Sequence, residues 1–327
     1  MILIICLLVI IVLYLIGFYD YKKFIESREI VSNRFEVVET KYGKIKYLDI
    51  GPKEGDVILF SGGGGTGIDL VYAFDWLTKK GYRLISVNRP GYYGLNVDVV
   101  DTLEGHADIY HDVIESLGIK EVNIFGLSMG ALSALYYAAK YSTKSLVLWC
   151  PITGQYQVNQ QSVNSPIGKL VMSKRSKNII SWMLSRFARL FPEVTIRSFL
   201  RAEANLDKNK INAIARDVMD SSDGRKSFNQ FIDSMAPMSA LYEGMMDEVE
   251  KSKKPSTINW DNITTPTFAV CSTADKDVSK DHFERIENKL ENAIVKYVEA
   301  GGHFVWWGNE GEEVIQNTIT FFDRYNR

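Results

Sequence analysis

With 327 residues, 46% of them hydrophobic, and a formal net charge of -2, the chain can bury one large core plus an accessory lobe. It lacks the basic balance of a nucleic-acid binder. Three cysteines are too few for a disulfide framework, and neither a solenoid-length repeat nor a low-complexity tract breaks the pattern.

Met1 to Tyr19 holds no charged side chain, and Ile2 to Phe18 is apolar except for Gly17 and the amphipathic Tyr14. As a helix, such a run of ~18 residues reaches across about 27 Å of hydrocarbon, enough for one crossing. No Lys or Arg precedes the run and no Ala-x-Ala-like site follows it, which favours a retained anchor over a cleaved signal peptide. Tyr19 and Tyr21 would sit at the interface. Lys22, Lys23 and Arg28 follow, and by the positive-inside rule they place the rest of the chain in the cytoplasm, the extracytoplasmic side being the other orientation. Residues 1–27 are set apart as transmembrane anchor and juxtamembrane segment.

Phe35 to Thr40 and Lys44 to Ile50 form an antiparallel hairpin around Tyr42-Gly43. Apolar strands at Val57, Leu84, Val122, Ser145, Thr267 and Ile294 then alternate with helical patterns, the last helix running from Glu310 to Arg324. That alternation predicts an α/β fold with a mostly parallel central sheet flanked by helices. It stops between Pro151 and about Asp261, where a helical insertion begins. The division is therefore residues 28–150 and 262–327 for the core, and 151–261 for a helical cap. Within the insertion, the periodicity predicts a helix from about Asn178 to Phe191, with Ile179, Ile180, Met183, Leu184, Phe187, Leu190 and Phe191 on one apolar stripe. Arg175, Trp182, Arg186 and Arg189 fall on another side. From Lys169 to Arg201 there are eight Lys or Arg and one acid, Glu193. The stripe is expected to pack inward, leaving a basic face for solvent or for anionic headgroups. A methionine-rich patch (Met235, Met238, Leu241, Tyr242, Met245, Met246) is either cap packing or an adaptable lining for an acyl chain.

The chemistry concentrates at loops that follow strands. Gly126-Leu127-Ser128-Met129-Gly130 joins the strand Glu121 to Phe125 to a helix starting at Ala131. Glycine two residues either side of a serine lets the backbone double back and lift the hydroxyl above the carboxyl edge of the sheet. A serine hydroxyl needs a base, and the base needs an orienting acid. Of the four histidines, His106, His111 and His282 lie in helical stretches, whereas His303 lies in the glycine loop Ala300 to Phe304, after the strand Ile294 to Val298. Asp275, just beyond the strand Thr267 to Cys271, is the first choice for the acid, with Asp277 as the alternative. Val57 to Phe60 runs into Ser61-Gly62-Gly63-Gly64-Gly65-Thr66-Gly67, where close backbone approach suits oxyanion donors, assigned to the N-H groups of Gly63 and Met129. Gly62, Gly64 and Gly67 also satisfy G-x-G-x-x-G, but the next strand ends at Asn88 where a dinucleotide site wants an acid, and no Walker lysine follows.

Taken together, the glycine loop, Asn88-Arg89-Pro90-Gly91-Tyr92-Tyr93-Gly94, the serine elbow, Pro266 to Val278 and Gly301-Gly302-His303-Phe304 resemble an α/β-hydrolase from about Phe35 to Tyr325, the middle segment excepted. Ser61-Gly62 stands where relatives often have His-Gly, and Asn88 where they often have Asp. Joined to the N-terminal anchor read above, the resemblance implies a membrane-anchored serine hydrolase with a cap, acting on carboxylic esters, candidate substrates being lipid-like ones such as a monoacylglycerol. Ser128, Asp275 and His303 are its expected triad, with no metal or organic cofactor. Thioesterase, peptidase, C-C hydrolase and cofactor-free haloperoxidase chemistry use the same residues, and a non-catalytic binding protein is the reading from a different class. Expected partners are a small-molecule or lipid-like ester and the membrane, with no nucleic acid. Oligomeric state is not encoded in these motifs.

Overall fold

The computed structural model describes residues 2–157 and 177–326, without the side chains of residues 2–5 and 8. An eight-stranded sheet runs in the order β1-β2-β4-β3-β5-β6-β7-β8. Its strands are β1 (Glu36–Thr40), β2 (Gly43–Ile50), β3 (Val57–Ser61), β4 (Arg83–Val87), β5 (Asn123–Leu127), β6 (Leu146–Trp149), β7 (Thr267–Ser272) and β8 (Ala293–Val298). Only β2 runs against its neighbours β1 and β4, and the remaining pairs are parallel. The central strands are apolar without alternation because helices cover both faces.

One face carries an aromatic cluster in which Phe125 lies against Phe60, Phe74 and Trp149 at centroid separations of 5.4, 5.4 and 4.8 Å. Trp149 is anchored by its indole N-H, which donates to Thr318 Oγ1 at 3.1 Å. The other face packs Leu59 and Ile124 beneath helices α2 (Leu103–Ser116) and α3 (Met129–Lys140). The strand order reverses between β3 and β5, and a crevice outside the carboxyl ends opens at such a switch point. The glycine loop, Ser128, Asp275 and His303 all follow strand ends on that edge.

Helices α4 (Lys177–Leu190), α5 (Pro192–Glu203), α6 (Lys208–Asp220), α7 (Ser222–Ser234) and α8 (Met238–Ser252) cover the crevice. Helices α9 (Lys280–Lys289) and α10 (Asn309–Tyr325) complete the core. The orientation of α4 reverses the expectation. Its buried residues are Ser181, Ser185 and Ala188, whereas Ile179, Met183, Phe187 and Leu190 are exposed. Small residues allow close approach, and the polar side is drawn inward by specific partners. Asp20 accepts from Trp182 Nε1 at 2.8 Å and from Arg186 Nε at 2.6 Å, and Arg189 pairs with Asp233 at 2.7 Å. Arg175 and residues 158–176 lie outside the described residues.

Asp20 belongs to α1, one continuous helix from Ile2 to Ser32. Among the described residues no helix is long and apolar enough to cross a membrane, so the expected spanning helix is not found as such. The helix turns polar from Asp20, with Lys22, Lys23 and Glu26 following. Nor is the segment up to residue 27 a free tether. Phe24 and Arg28 are buried, Arg28 pairs with Asp69, and its Nε donates to Ala236 O at 3.2 Å.

Candidate active site

Ser128 sits where β5 ends and α3 begins, at φ 53° and ψ -120°, a region that non-glycine residues adopt only when their surroundings enforce it. Its N-H donates to Trp149 O at 2.9 Å, and its carbonyl accepts from Ala131 N at 3.0 Å and Ile152 N at 3.2 Å. The flanking glycines are required by space. A Cβ at Gly126 would fall 2.7 Å from the Ala131 Cα, and one at Gly130 would fall 2.2 Å from the Ser61 carbonyl oxygen. Met129 is the first residue of α3, so its N-H is one of the four that a helix cannot satisfy internally.

Gly63 lies beside the serine, and a Cβ there would stand 3.6 Å from that of Ser128. What turns its N-H is buried beneath the loop. Arg89, 4% exposed, donates from Nη1 to Gly62 O at 3.1 Å and from Nη2 to Gly63 O at 3.2 Å and Thr66 O at 2.6 Å. Because C=O and N-H oppose one another across a trans peptide, holding the Gly62 carbonyl on Arg89 directs the Gly63 N-H away from it. Arg89 Nη1 also stands 2.9 Å from Oε1 of Glu248 on α8. That carboxylate oxygen has no aligned hydrogen bond, so the contact is one of charge. Glu248 Oε2 accepts from Tyr92 OH at 2.6 Å, and Tyr92 OH accepts from Gly65 N at 3.1 Å. A cap helix thus helps to shape the glycine loop.

His303 Nδ1 lies 2.9 Å from Asp275 Oδ2, and Asp275 Oδ1 accepts from the N-H groups of Asp277 and Val278 at 2.8 and 3.0 Å. The structure brings Asp275 to Nδ1 and leaves Asp277 on the other side of the ring, 4.0 Å from Nε2, where it accepts from Tyr156 OH. Burial alone would lower the His303 pKa, but Asp275, then Asp277 and Glu203, outweigh it and push it up to about 10. Burial, reinforced by Asp277, pushes the Glu203 carboxyl up to about 7. Glu203 closes α5, and its carbonyl accepts from Lys276 N at 3.2 Å and His303 N at 3.3 Å. Ala204 bridges to Asp275, and Asn205 N donates to Ala274 O at 2.7 Å, so the cap is stitched to both loops that carry the histidine and the acid. Buried Cys150, Asp275 and His303 form the one potential metal-ligand cluster among the described residues. It contains the His-Asp pair itself, and burial, followed by the charge of Asp275, drives the Cys150 thiol well above its usual range.

Ser128, Met129, Gly63, His303 and Asp277 face a common cavity of about 270 Å³, at the lower end for small-molecule sites. Met235 and Met245 line it, while Met238 and Leu241 are buried in packing. The remaining histidines lie elsewhere. His106 is buried with neither ring nitrogen hydrogen-bonded, and burial pulls its pKa down to about 3. His282 accepts from Thr153 N at 2.9 Å, and His111 stacks on Tyr141. Sequence reasoning missed Arg89, Glu203 and Glu248. For Glu248 a signal existed, since it shares the buried stripe of α8 with Leu241 and Ser252, and a charge on such a stripe needs a partner. Glu203 carries no comparable signal.

This architecture, a parallel sheet with a serine elbow and a capped crevice, defines a class that comparison makes specific. Residues 57–316 match the Alpha/beta hydrolase family, and the chain belongs to that family. It is 20% identical over 295 residues to the uncharacterized hydrolase YcgS of Bacillus subtilis, covering 90% of this chain and 100% of that protein. It is also 29% identical over 135 residues to the 2-hydroxy-6-oxononadienedioate/2-hydroxy-6-oxononatrienedioate hydrolase of Comamonas testosteroni, covering 38% of this chain and 47% of that protein. An alpha/beta hydrolase fold protein from Nakamurella multipartita superposes with a TM-score of 0.79 at 22% identity, over 88% of this chain and 98% of that one.

Proposed function

We propose that the chain is a serine hydrolase that cleaves carboxylic esters through an acyl-enzyme on Ser128. The observation that carries this reading is the His303-Asp275 pair at 2.9 Å, whose imidazole opens onto the same cavity as the strained serine. In the proposed sequence, Ser128 Oγ attacks the ester carbonyl while His303 Nε2 takes its proton. The Gly63 and Met129 N-H groups hold the oxyanion, and the imidazolium, stabilised by Asp275, protonates the departing alcohol. Water activated by His303 then releases the acid. Every step draws only on groups of the chain and water. Labelling of the detergent-solubilised protein with an alkyl fluorophosphonate, beside His303→Ala, tests the reading. The wild type should label and the variant should not, whereas a folded wild type that stays unlabelled points to a binding protein.

The second reading, C-C bond hydrolysis, is favoured by the Comamonas relative, whose name gives a dicarboxylate substrate. Against it stands the cavity, which offers carboxyl groups where two substrate carboxylates would need cations. Its volume suits short to medium acyl groups better than long lipid chains.

The N-terminal part of the reading is that Ile2–Phe18 is a retained membrane anchor with the catalytic domain in the cytoplasm. It is supported by the charge-free run to Tyr19, by the exposure of Leu7 and of Val9 to Leu15, and by Lys22 and Lys23 following them. The full chain should stay in membranes through carbonate extraction, and a variant without residues 2–19 should be released. A cysteine at the exposed position Glu29 that reacts with an impermeant thiol reagent in intact cells would overturn the cytoplasmic orientation.

A further inference from the structure

The charge carried by the cavity is one-sided. Glu203 at the end of α5, Asp277 in the loop after β7 and Glu248 on α8 all line it, and no Lys or Arg is among the described residues that line it. Two cations beside these loops are committed elsewhere. Arg89 lies beneath the glycine loop on three carbonyls and Glu248. Lys276 is exposed, with its ammonium on Arg201 O at 3.0 Å. Opposite Glu248, whose charge Arg89 offsets, Glu203 and Asp277 are left facing His303. Much of the rest of the wall is apolar, with Leu70, Ile152, Phe199, Phe231 and Met235 among it.

We propose that the site admits uncharged acyl groups and rejects esters that carry a carboxylate on the acyl chain, with Glu203 and Asp277 as the discriminating residues. This rests on the ester-hydrolase reading above. A like charge brought within a few ångströms of two partly buried carboxylates meets little screening, and among the described residues that line the cavity the one positive group is the His303 ring, already paired with Asp275. The penalty should also depend on pH. Glu203 titrates near neutrality in the company of Asp275, Asp277, Lys276 and the His303 ring, so repulsion strengthens as pH rises and its proton is lost. Any change in activity that comes from the protonation of His303, whose pKa is pushed up to about 10, is common to both esters and cancels in a ratio.

The test compares kcat/KM for p-nitrophenyl butyrate with that for mono-p-nitrophenyl glutarate from pH 6 to 8.5, in the full-length protein and in Glu203→Gln and Asp277→Asn. The butyrate should be favoured on the order of 100-fold at pH 8, with the ratio growing through pH 7. Glu203→Gln should cut the ratio about tenfold and flatten its pH dependence, and Asp277→Asn should cut it without flattening. A wild-type ratio near one, or a ratio unmoved in both variants, overturns the proposal while leaving ester hydrolysis standing. No turnover of either ester together with no fluorophosphonate labelling overturns the hydrolase reading and this proposal with it.

Discussion

Ser128→Ala is expected to lower kcat for ester hydrolysis on the order of 10⁶-fold, because nucleophile and base act as one unit and losing either removes most of what both provide. A residue of roughly 10³-fold over water should survive, since the Gly63 and Met129 N-H groups still surround the carbonyl. The variant should fold, because the backbone bonds of Ser128 to Trp149, Ala131 and Ile152 do not involve the hydroxyl. Alanine keeps the strain of φ 53°, whereas glycine relieves it, so Ser128→Gly should be more stable than Ser128→Ala by about 1 kcal/mol or more. Steady-state kinetics on both variants, with urea denaturation beside them, reads both effects. A Ser128→Ala protein retaining a hundredth of wild-type kcat would remove Ser128 from the role of nucleophile.

The second large effect lies away from the reacting atoms. Arg89→Met should destabilise the protein by about 3 to 5 kcal/mol, because Glu248 is left charged and unpaired in the interior. Three loop carbonyls lose their donor at the same time. The double variant Arg89→Met/Glu248→Gln should regain a substantial part of that stability, as removing both charges is far less costly than removing one. Its activity should not return in step. With the Gly62 carbonyl unheld, the Gly63 N-H loses its aim, which amounts to losing one oxyanion donor, about 10²- to 10³-fold in kcat. Denaturation midpoints and kcat measured on both single variants and the double form a cycle that separates the two roles. Equal recovery of stability and kcat in the double variant would show that Arg89 serves folding alone.

The core was legible because each of its signals is local. Strands β3 to β8 declare themselves as apolar runs, and Gly126 and Gly130 bracket Ser128 within five residues. The order serine, acid, histidine follows from loops that succeed strands, and the structure brings Asp275 and His303 into contact across a separation of 28 positions. What the sequence concealed depends on pairing between distant segments. The stripe on α4 says which side is apolar but not which side meets a neighbour. Asp20, 162 and 166 positions from Trp182 and Arg186, decides that and reverses the reading. Arg28 finds Asp69 across 41 positions, so an apparent juxtamembrane tether is in fact a docked helix end. Glu203 matters only because the chain returns to lay α5 against the loops after β7 and β8, and no periodicity encodes such a return.

The stitching of Glu203, Ala204 and Asn205 onto the Asp275 and His303 loops also bears on how such a protein can diversify. A cap joined to the core only at its two hinges could be exchanged for another as a cassette, and substrate preference would travel with it. Here the cap supplies the carbonyl that fixes the His303 backbone, and Gly302 must be glycine because a Cβ there would stand 2.3 Å from that of Ala204. Grafting a foreign cap would therefore disturb His303, the proposed base, before it altered the pocket. In this chain new specificity is more accessible through substitutions along the inner cap wall, at Phe199, Phe231 and Met235, than through exchange of the whole cap.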